Sequence, residues 1–128
     1  PSGVGKLVVQ NIASPKPSVN IILKNGVYTH LRFSDEKNKV IGLKTWDEKK
    51  EIVLIDLGNK KEKVLYSTYE NIGNPIKKGS FVFFNNVVAG VDNIVYVDLA
   101  SQKKFQFTNI MIWKTLKINL RQLKAHLV

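Results

Sequence analysis

The chain has 128 residues, of which 44% are hydrophobic, and it carries a formal net charge of +10 without a single cysteine. This length predicts one β-rich domain spanning residues 1–128, and the absence of cysteine excludes disulfides, thiolate metal sites and thiol nucleophiles. No apolar run reaches the roughly 18 residues of a membrane-spanning helix, so we expect no membrane partner. We expect an intracellular protein of the cytoplasm or nucleus, or one encoded by a virus or phage.

The positive charge is concentrated towards the two ends of the chain. All ten acidic residues lie between Asp35 and Asp98, whereas residues 1–34 carry four basic residues and residues 99–128 carry six. The two end segments form one basic face if their elements are neighbours in the fold. The alternative is that the charge is spread over the surface and serves solubility.

The first elements in chain order are predicted strands. Leu7-Val8-Val9 is the first candidate, within a segment 1–18 that we expect to be partly a flexible arm or linker. Val19–Lys24 and Val27–Phe33 follow, separated by Asn25-Gly26. Two residues that tolerate positive φ between β-prone runs predict a hairpin with a type I′ turn.

Alternation with a period of two divides the second arm of this hairpin into two faces. The expected core face comprises Val27, Thr29, Leu31 and Phe33. The expected opposite face comprises Tyr28, His30 and Arg32. Further along the chain we also assign Phe81, Phe83, Phe105 and Phe107 to the core.

Apolar segments then recur about every ten to fifteen residues up to Trp113. This rhythm predicts a mainly β fold, either a small antiparallel barrel or a sandwich. The final segment differs, because leucines at positions 116, 120, 123 and 127 follow a helical spacing. We therefore predict a C-terminal amphipathic helix over residues 114–128.

No motif in the chain supports catalysis. Gly3-Val4-Gly5-Lys6 has the end of a phosphate-binding loop but lacks the preceding strand and the following Ser or Thr. The two histidines, His30 and His126, have no neighbouring carboxylate pattern that would predict a metal site. We expect no enzyme activity, no metal and no cofactor.

Cationic and aromatic residues alternate on several predicted strands. Tyr28, His30 and Arg32 share one strand, and Lys44 and Trp46 share the next. Single-stranded nucleic acid is bound by such surfaces, because bases stack on aromatic rings while lysines and arginines contact phosphates.

In its layout the chain resembles the OB-fold domains that bind single-stranded DNA or RNA. The resemblance is carried by the ribbon Val19–Phe33, the following strands, and the run Pro75-Ile76-Lys77-Lys78-Gly79-Ser80-Phe81-Val82. It implies an OB-like barrel that binds through its second and third strands. The implied nucleic-acid-binding residues are Tyr28, His30, Arg32, Lys44 and Trp46, with Lys77, Lys78, Lys103 and Lys104 as phosphate contacts at the rim.

Two functions remain open at this point. The first is sequence-tolerant binding of single-stranded DNA or RNA. The alternative is a structural or protein-interaction module of sandwich type, such as a virion, assembly or complex subunit, with a protein partner or a larger parent chain. A terminal basic helix in a duplex groove is a third possibility, and it requires Lys117, Arg121 and Lys124.

Overall fold

The computed structural model describes residues 5–10, 17–23 and 25–106, and in these ranges the predicted mainly β class is confirmed. The ten strands are β1 (Gly5–Gln10), β2 (Pro17–Leu23), β3 (Val27–Phe33), β4 (Lys39–Trp46), β5 (Lys49–Asp56), β6 (Glu62–Thr68), β7 (Asn71–Lys78), β8 (Phe81–Val88), β9 (Val91–Asp98) and β10 (Lys103–Gln106). The helix predicted over residues 114–128 lies outside the described residues. Within those residues no helix is long and apolar enough to cross a membrane.

The strands form three antiparallel sheets in two compact units. The first unit, Pro1–Tyr69, contains a two-stranded ribbon, β1-β2, and a four-stranded sheet, β3-β4-β5-β6, which we call module 1. The second unit, Glu70–Val128, contains the four-stranded sheet β7-β8-β9-β10, which we call module 2. In the part of the chain that is described, the edge strands of each module do not pair with each other. The predicted barrel is therefore wrong for these residues, because both sheets are open meanders.

The hairpin predicted around Asn25-Gly26 is also wrong. Both residues have positive φ, 48° and 107°, as the sequence indicates. However, β2 pairs with β1 and β3 pairs with β4, so the two arms belong to different sheets. A Cβ added at Gly26 would lie 2.8 Å from the carbonyl oxygen of Thr45. The bend therefore leads the chain tightly past β4 from the ribbon into module 1.

The predicted alternation of β3 fails because the strand contains a bulge. Its register with β4 shifts between Thr29 and Arg32, and His30 within the bulge has a φ of 54°. The core assignment of Val27, Thr29, Leu31 and Phe33 is wrong, because all four are exposed, Phe33 to 69%. An edge strand with an inserted residue cannot keep one parity of side chains on one face.

The core of the first unit lies between the ribbon and one face of module 1. Leu7, Ile21 and Leu23 of the ribbon form a buried cluster with side chains of β4, β5 and the residue after β5, namely Val40, Val53, Ile55 and Leu57. We call the module 1 side of this contact the valine face. Burial of these branched side chains stabilises the two-layer arrangement by roughly 1.5 to 3 kcal/mol for each fully buried residue.

The second and third strands of module 2 pair in the same register as those of module 1. Lys39 pairs with Asp56 in module 1, and 42 residues later Phe81 pairs with Asp98 in module 2. The same 42-residue offset relates the pairs that β5 and β6 form close to their turn to the pairs between β9 and β10. Both modules also link their second and third strands through two residues with positive φ, Asp47-Glu48 and Ala89-Gly90.

The turn after the third strand shares an aspartate–amide hydrogen bond between the two modules. The Oδ1 atom of Asp56 accepts a hydrogen bond from the amide of Gly58 at 2.8 Å. The Oδ1 atom of Asp98 accepts one from the amide of Ala100 at 3.0 Å. Aspartate stabilises such turns because its carboxylate accepts from the amide two residues further on.

A second hydrogen bond fixes the same turn to the loop before the second strand. The amide of Leu57 donates to the carbonyl oxygen of Asn38 at 2.9 Å, and the amide of Leu99 donates to that of Ser80 at 2.7 Å. These four residues also obey the 42-residue offset. The bond ties three strands of each module into one register.

The bulge in the first strand is repeated as well. In module 2 the register shifts between Gly73 and Ile76, and Asn74 has a φ of 51°, close to that of His30. The first strands are 44 rather than 42 residues apart because the loop that follows is shorter in module 2. The bulge is thus a regular feature of the module and not a local irregularity of β3.

We expect both turn aspartates to stabilise the protein. Asp56→Ala and Asp98→Ala should each lower the free energy of unfolding by about 1 kcal/mol, because each leaves turn amides without their acceptor. Urea unfolding followed by circular dichroism measures this change. Asp→Asn at either position retains an acceptor oxygen and should recover most of the loss; a loss at one position alone would contradict the repeat.

Gly26→Ala should be strongly destabilising. The added Cβ would contact the Thr45 carbonyl oxygen, and the residue would be held at positive φ, with a combined cost of about 1 to 3 kcal/mol. Gly73→Ala is the matched control, because a Cβ there meets no atom within 4 Å. Equal melting temperatures for the two variants would show that the bend does not constrain the fold.

Candidate interaction surface

Two of the predicted nucleic-acid-binding residues, Tyr28 and Lys44, contact each other in module 1. They lie directly opposite on β3 and β4, with the Lys44 Nζ atom 5.4 Å from the centre of the Tyr28 ring. The Tyr28 hydroxyl donates a hydrogen bond to Glu62. Lys44 Nζ lies 3.3 Å from the other carboxylate oxygen of Glu62. One acid from β6 therefore binds both residues.

Burial, the hydrogen bond to Glu62 and the negative charges of Glu62 and Glu51 raise the pKa of Tyr28 well above its ordinary value of 10.0. The phenol is thus a neutral hydrogen-bond donor at every physiological pH. It also packs against the buried cluster below the ribbon. These contacts indicate that Tyr28 joins the ribbon to module 1.

Trp46 lies at the end of β4 and is 45% exposed. It borders a groove of about 760 Å³ between the ribbon and module 1, to which Tyr28 and Leu31 also contribute large side chains. Gly5 and Lys6 line the ribbon side of this groove. Trp46 is therefore more exposed than Tyr28, which is half-buried in the same groove.

The bulge separates the remaining residues of this predicted site. His30 is exposed, and its Nδ1 atom lies 3.1 Å from the Thr29 hydroxyl oxygen. Arg32 lies opposite Ile41, which points to the other side of the sheet from Lys44. Arg32 and Tyr28 consequently occupy different faces, although the sequence predicts them on the same one.

The four predicted rim lysines all belong to module 2 and are divided between its faces. Lys78 lies opposite Phe81 and Lys103 lies opposite Asp98, which places these two lysines on one face. Lys77 and Lys104 lie opposite Val82 and Val97 on the other face.

The face that carries Lys78 and Lys103 also carries a row of aromatic rings across three strands. Phe83 lies opposite Tyr96, and Tyr96 lies opposite Phe105, so the three rings follow one line across β8, β9 and β10. Phe81 lies in the neighbouring row of the same face, next to Lys78. We call the side of module 2 formed by Phe81, Phe83, Tyr96 and Phe105 the aromatic face.

Tyr96 is the centre of the aromatic face. Its ring stacks on Phe105 at a centroid distance of 4.9 Å and an angle of 19°. It also contacts Phe83 at 5.7 Å and meets the edge of Phe81 at 5.9 Å. Phe81 and Phe105 remain 39% and 44% exposed despite these contacts. The rings thus form a preorganised and accessible apolar surface.

The sequence interpretation missed this surface because β8 is apolar at both parities. Phe81 and Phe83 alternate with Val82 and Phe84, and either pair could face the core. In the structure Val82 and Phe84 are buried, which leaves the phenylalanines of the other parity accessible. The exposed row is identified by the pairing of Phe105 with Tyr96. This pairing depends on the register of β9 and β10, which the sequence does not specify.

A polar cluster stabilises the other face of module 2. Asn86 is buried, and its side-chain amide donates to Glu70. Lys104 Nζ lies 3.2 Å from the Glu70 carboxylate. The hydrogen bond from Asn86 and then the one from Lys104 lower the pKa of Glu70 below its ordinary value of 4.5. Lys104 therefore has an internal partner in module 2.

Among the described residues, no group of three or more His, Asp or Glu side chains is placed to bind a metal ion. Comparison of the chain with known proteins finds no family model, no curated protein and no solved structure that matches it.

The Glu70 cluster should make module 2 sensitive to acid. Because the folded-state pKa of Glu70 is depressed, its stabilising contribution is present above about pH 4.5 and is lost as the pH falls through the folded-state value. Glu70→Gln should lower the free energy of unfolding at pH 7 by about 0.5 to 1 kcal/mol, a small effect because the carboxylate is partly solvated.

Denaturant unfolding at pH 7 and below pH 4 measures this difference between wild type and variant. The difference should shrink at the acidic pH. Glu48→Gln, in the turn between β4 and β5, is the control and should change little at either pH. A Glu70→Gln effect that grows on acidification would contradict the assignment.

Proposed function

We propose that the chain is a non-catalytic structural or protein-interaction module built from repeated β-meanders. The observation that carries this proposal is the 42-residue repeat, with its shared strand registers, turn hydrogen bonds and bulge. Repeats of about 40 to 45 residues with four antiparallel strands are typical of the blades of β-propellers. Such repeats bury their faces against neighbouring repeats and present binding surfaces to partners.

The burial pattern of module 1 favours a sheet that is packed on both faces rather than one with a face in solvent. Both sides of module 1 are apolar: Val53 and Ile55 point to one side, and Ile52 and Leu54 point to the other. All four residues are buried. Burial on both faces is the pattern of a sheet that is covered on each side, and it favours a structural role over a sheet that presents one face to solvent.

The contacts on β3 and β4 also favour this function over nucleic-acid binding at that site. Glu62 binds Tyr28 and Lys44 together, and its negative charge lies where a phosphate would approach. Neither Tyr28 nor Lys44 can contact a nucleic acid there without breaking this cluster.

Single-stranded DNA or RNA remains the second candidate ligand, and the aromatic face is the observation that favours it. Phe81 and Phe105 are accessible, and Lys78 and Lys103 lie on the same face. No salt bridge joins either lysine to another described residue. Bases could stack on the rings while the two lysines contact phosphates.

A titration with fluorescent oligo-dT and with duplex DNA separates the two functions. A protein-interaction module with a charge of +10 should bind both nucleic acids weakly at low salt and lose that binding near 0.15 M salt, without a change in Trp fluorescence. Binding of the single strand over the duplex at moderate salt, with tryptophan quenching, would contradict the proposal. Trp46→Phe then identifies the quenched ring.

Matched lysine variants show whether a binding face is involved. Lys78→Gln with Lys103→Gln removes two charges from the aromatic face, and Lys37→Gln with Lys60→Gln removes two charges from exposed turns. Weak electrostatic binding predicts the same loss for both pairs. A much larger loss for the first pair would assign nucleic-acid binding to the aromatic face.

A further inference from the structure

The ribbon of the first unit resembles the second half of a module. Residues 7–14, LVVQNIAS, align with 94–101, IVYVDLAS, and with 52–59, IVLIDLGN. The first of these segments contains the last four residues of β1, and the other two contain the last five residues of β5 and β9, the third strands of the modules. In this alignment β1 and β2 correspond to the third and fourth strands of a preceding repeat.

The alignment identifies which side of the ribbon packs on module 1. Leu7 aligns with Ile94, and Val9 aligns with Tyr96. Leu7 is buried and Val9 packs on the cluster, whereas Val8 between them is 49% exposed. The ribbon thus covers the valine face of module 1 with the positions that form the aromatic face in module 2.

Within the first unit this contact follows a simple packing rule. The side of the ribbon that corresponds to the aromatic face packs on the valine face of module 1, which follows the ribbon in the chain. In module 1 the corresponding side consists of Ile41, Leu43, Ile52 and Leu54, which are at most 6% exposed. At the equivalent positions of module 2, Phe83, Asn85, Ile94 and Tyr96 are half-buried, and Phe81 and Phe105 beside them are accessible.

We propose that the aromatic face of module 2 is the docking surface for the valine face of a further β-meander repeat of the same type. The proposal rests on the proposed function and adds to it the identity of the partner. The partner presents a row of small branched side chains, as Val40 and Val53 do in module 1, and the flat aromatic row of module 2 covers it. Burial of the accessible rings is the driving force.

The chain itself supplies a probe for this interaction. Leu7→Asp with Ile21→Asp places two charges in the cluster between the ribbon and module 1, so the ribbon is released and the valine face is uncovered. This ribbon-released chain offers the partner surface, and the wild-type chain offers the aromatic face with its own valine face in module 1 still covered.

Sedimentation velocity of the two chains, alone and mixed, tests the proposal. We expect the wild type alone to be monomeric, the ribbon-released chain alone to self-associate because it carries both surfaces, and the mixture to form complexes that contain the wild type. A mixture in which the wild type stays monomeric at every concentration overturns the proposal. If the ribbon-released chain loses amide protection at Leu57, the milder variant Leu7→Asp replaces it.

Variants of the aromatic face give the matched control. Phe81→Lys and Phe105→Lys introduce the residues that module 1 already carries at the corresponding positions, Lys39 and Lys63. They should leave the melting temperature nearly unchanged while weakening association by about tenfold or more. Tyr69→Lys, at a ring 76% exposed outside this face, should not affect association.

Two outcomes separate failure of this proposal from failure of the proposed function. A large fall in melting temperature for Phe105→Lys would show that the aromatic face belongs to the chain's own core, and the docking proposal would fail while the interaction function stands. Oligo-dT binding at moderate salt that Phe105→Lys abolishes would assign the face to nucleic acid, and both proposals would fail.

Discussion

The strand register held by the turn after the third strand of each module is the constraint on which the rest of the structure depends. Asp56 and Asp98 accept hydrogen bonds from amides of their own turns, and Leu57 and Leu99 bind the loops before the second strands. Because side chains alternate along a strand, a shift of one residue would exchange the two faces of the sheet. The valine face, the aromatic face and the Tyr28–Glu62 contact all require the observed register.

The two modules show how one backbone pattern serves different surfaces. At the positions of Ile41 and Leu54 in module 1, module 2 has Phe83 and Tyr96. The aliphatic residues are buried, and the aromatic ones are partly accessible. Larger rings at the same register positions keep the sheet intact while adding apolar contact area.

The sequence predicted the element type well and the connections between elements poorly. Alternating apolar residues and short turns indicated strands, and the structure has strands at Leu7-Val8-Val9 and throughout residues 27–106. The Asn25-Gly26 pair correctly indicated positive φ, but the same backbone conformation serves a bend between two sheets. Local residues specify a turn conformation; which strands pair across it depends on tertiary packing.

The site was predicted less well for the same physical reason. Period-two alternation placed Tyr28 and Arg32 on one face, and the bulge at His30 separates them. The same bulge occurs at Asn74, so a comparison of the two segments at the correct offset could have revealed it. Alternation within a single strand does not reveal a repeat between strands. The phenylalanines of the aromatic face were therefore assigned to the core.

The measurement that tests the repeated module most directly is the through-hydrogen-bond scalar coupling between amide nitrogen and carbonyl carbon, recorded by NMR on labelled protein. The account predicts couplings of similar size for Leu57 to Asn38 and for Leu99 to Ser80. Detection of the first coupling without the second, under conditions where both amides are protected from exchange, would contradict the repeat and the packing rule derived from it.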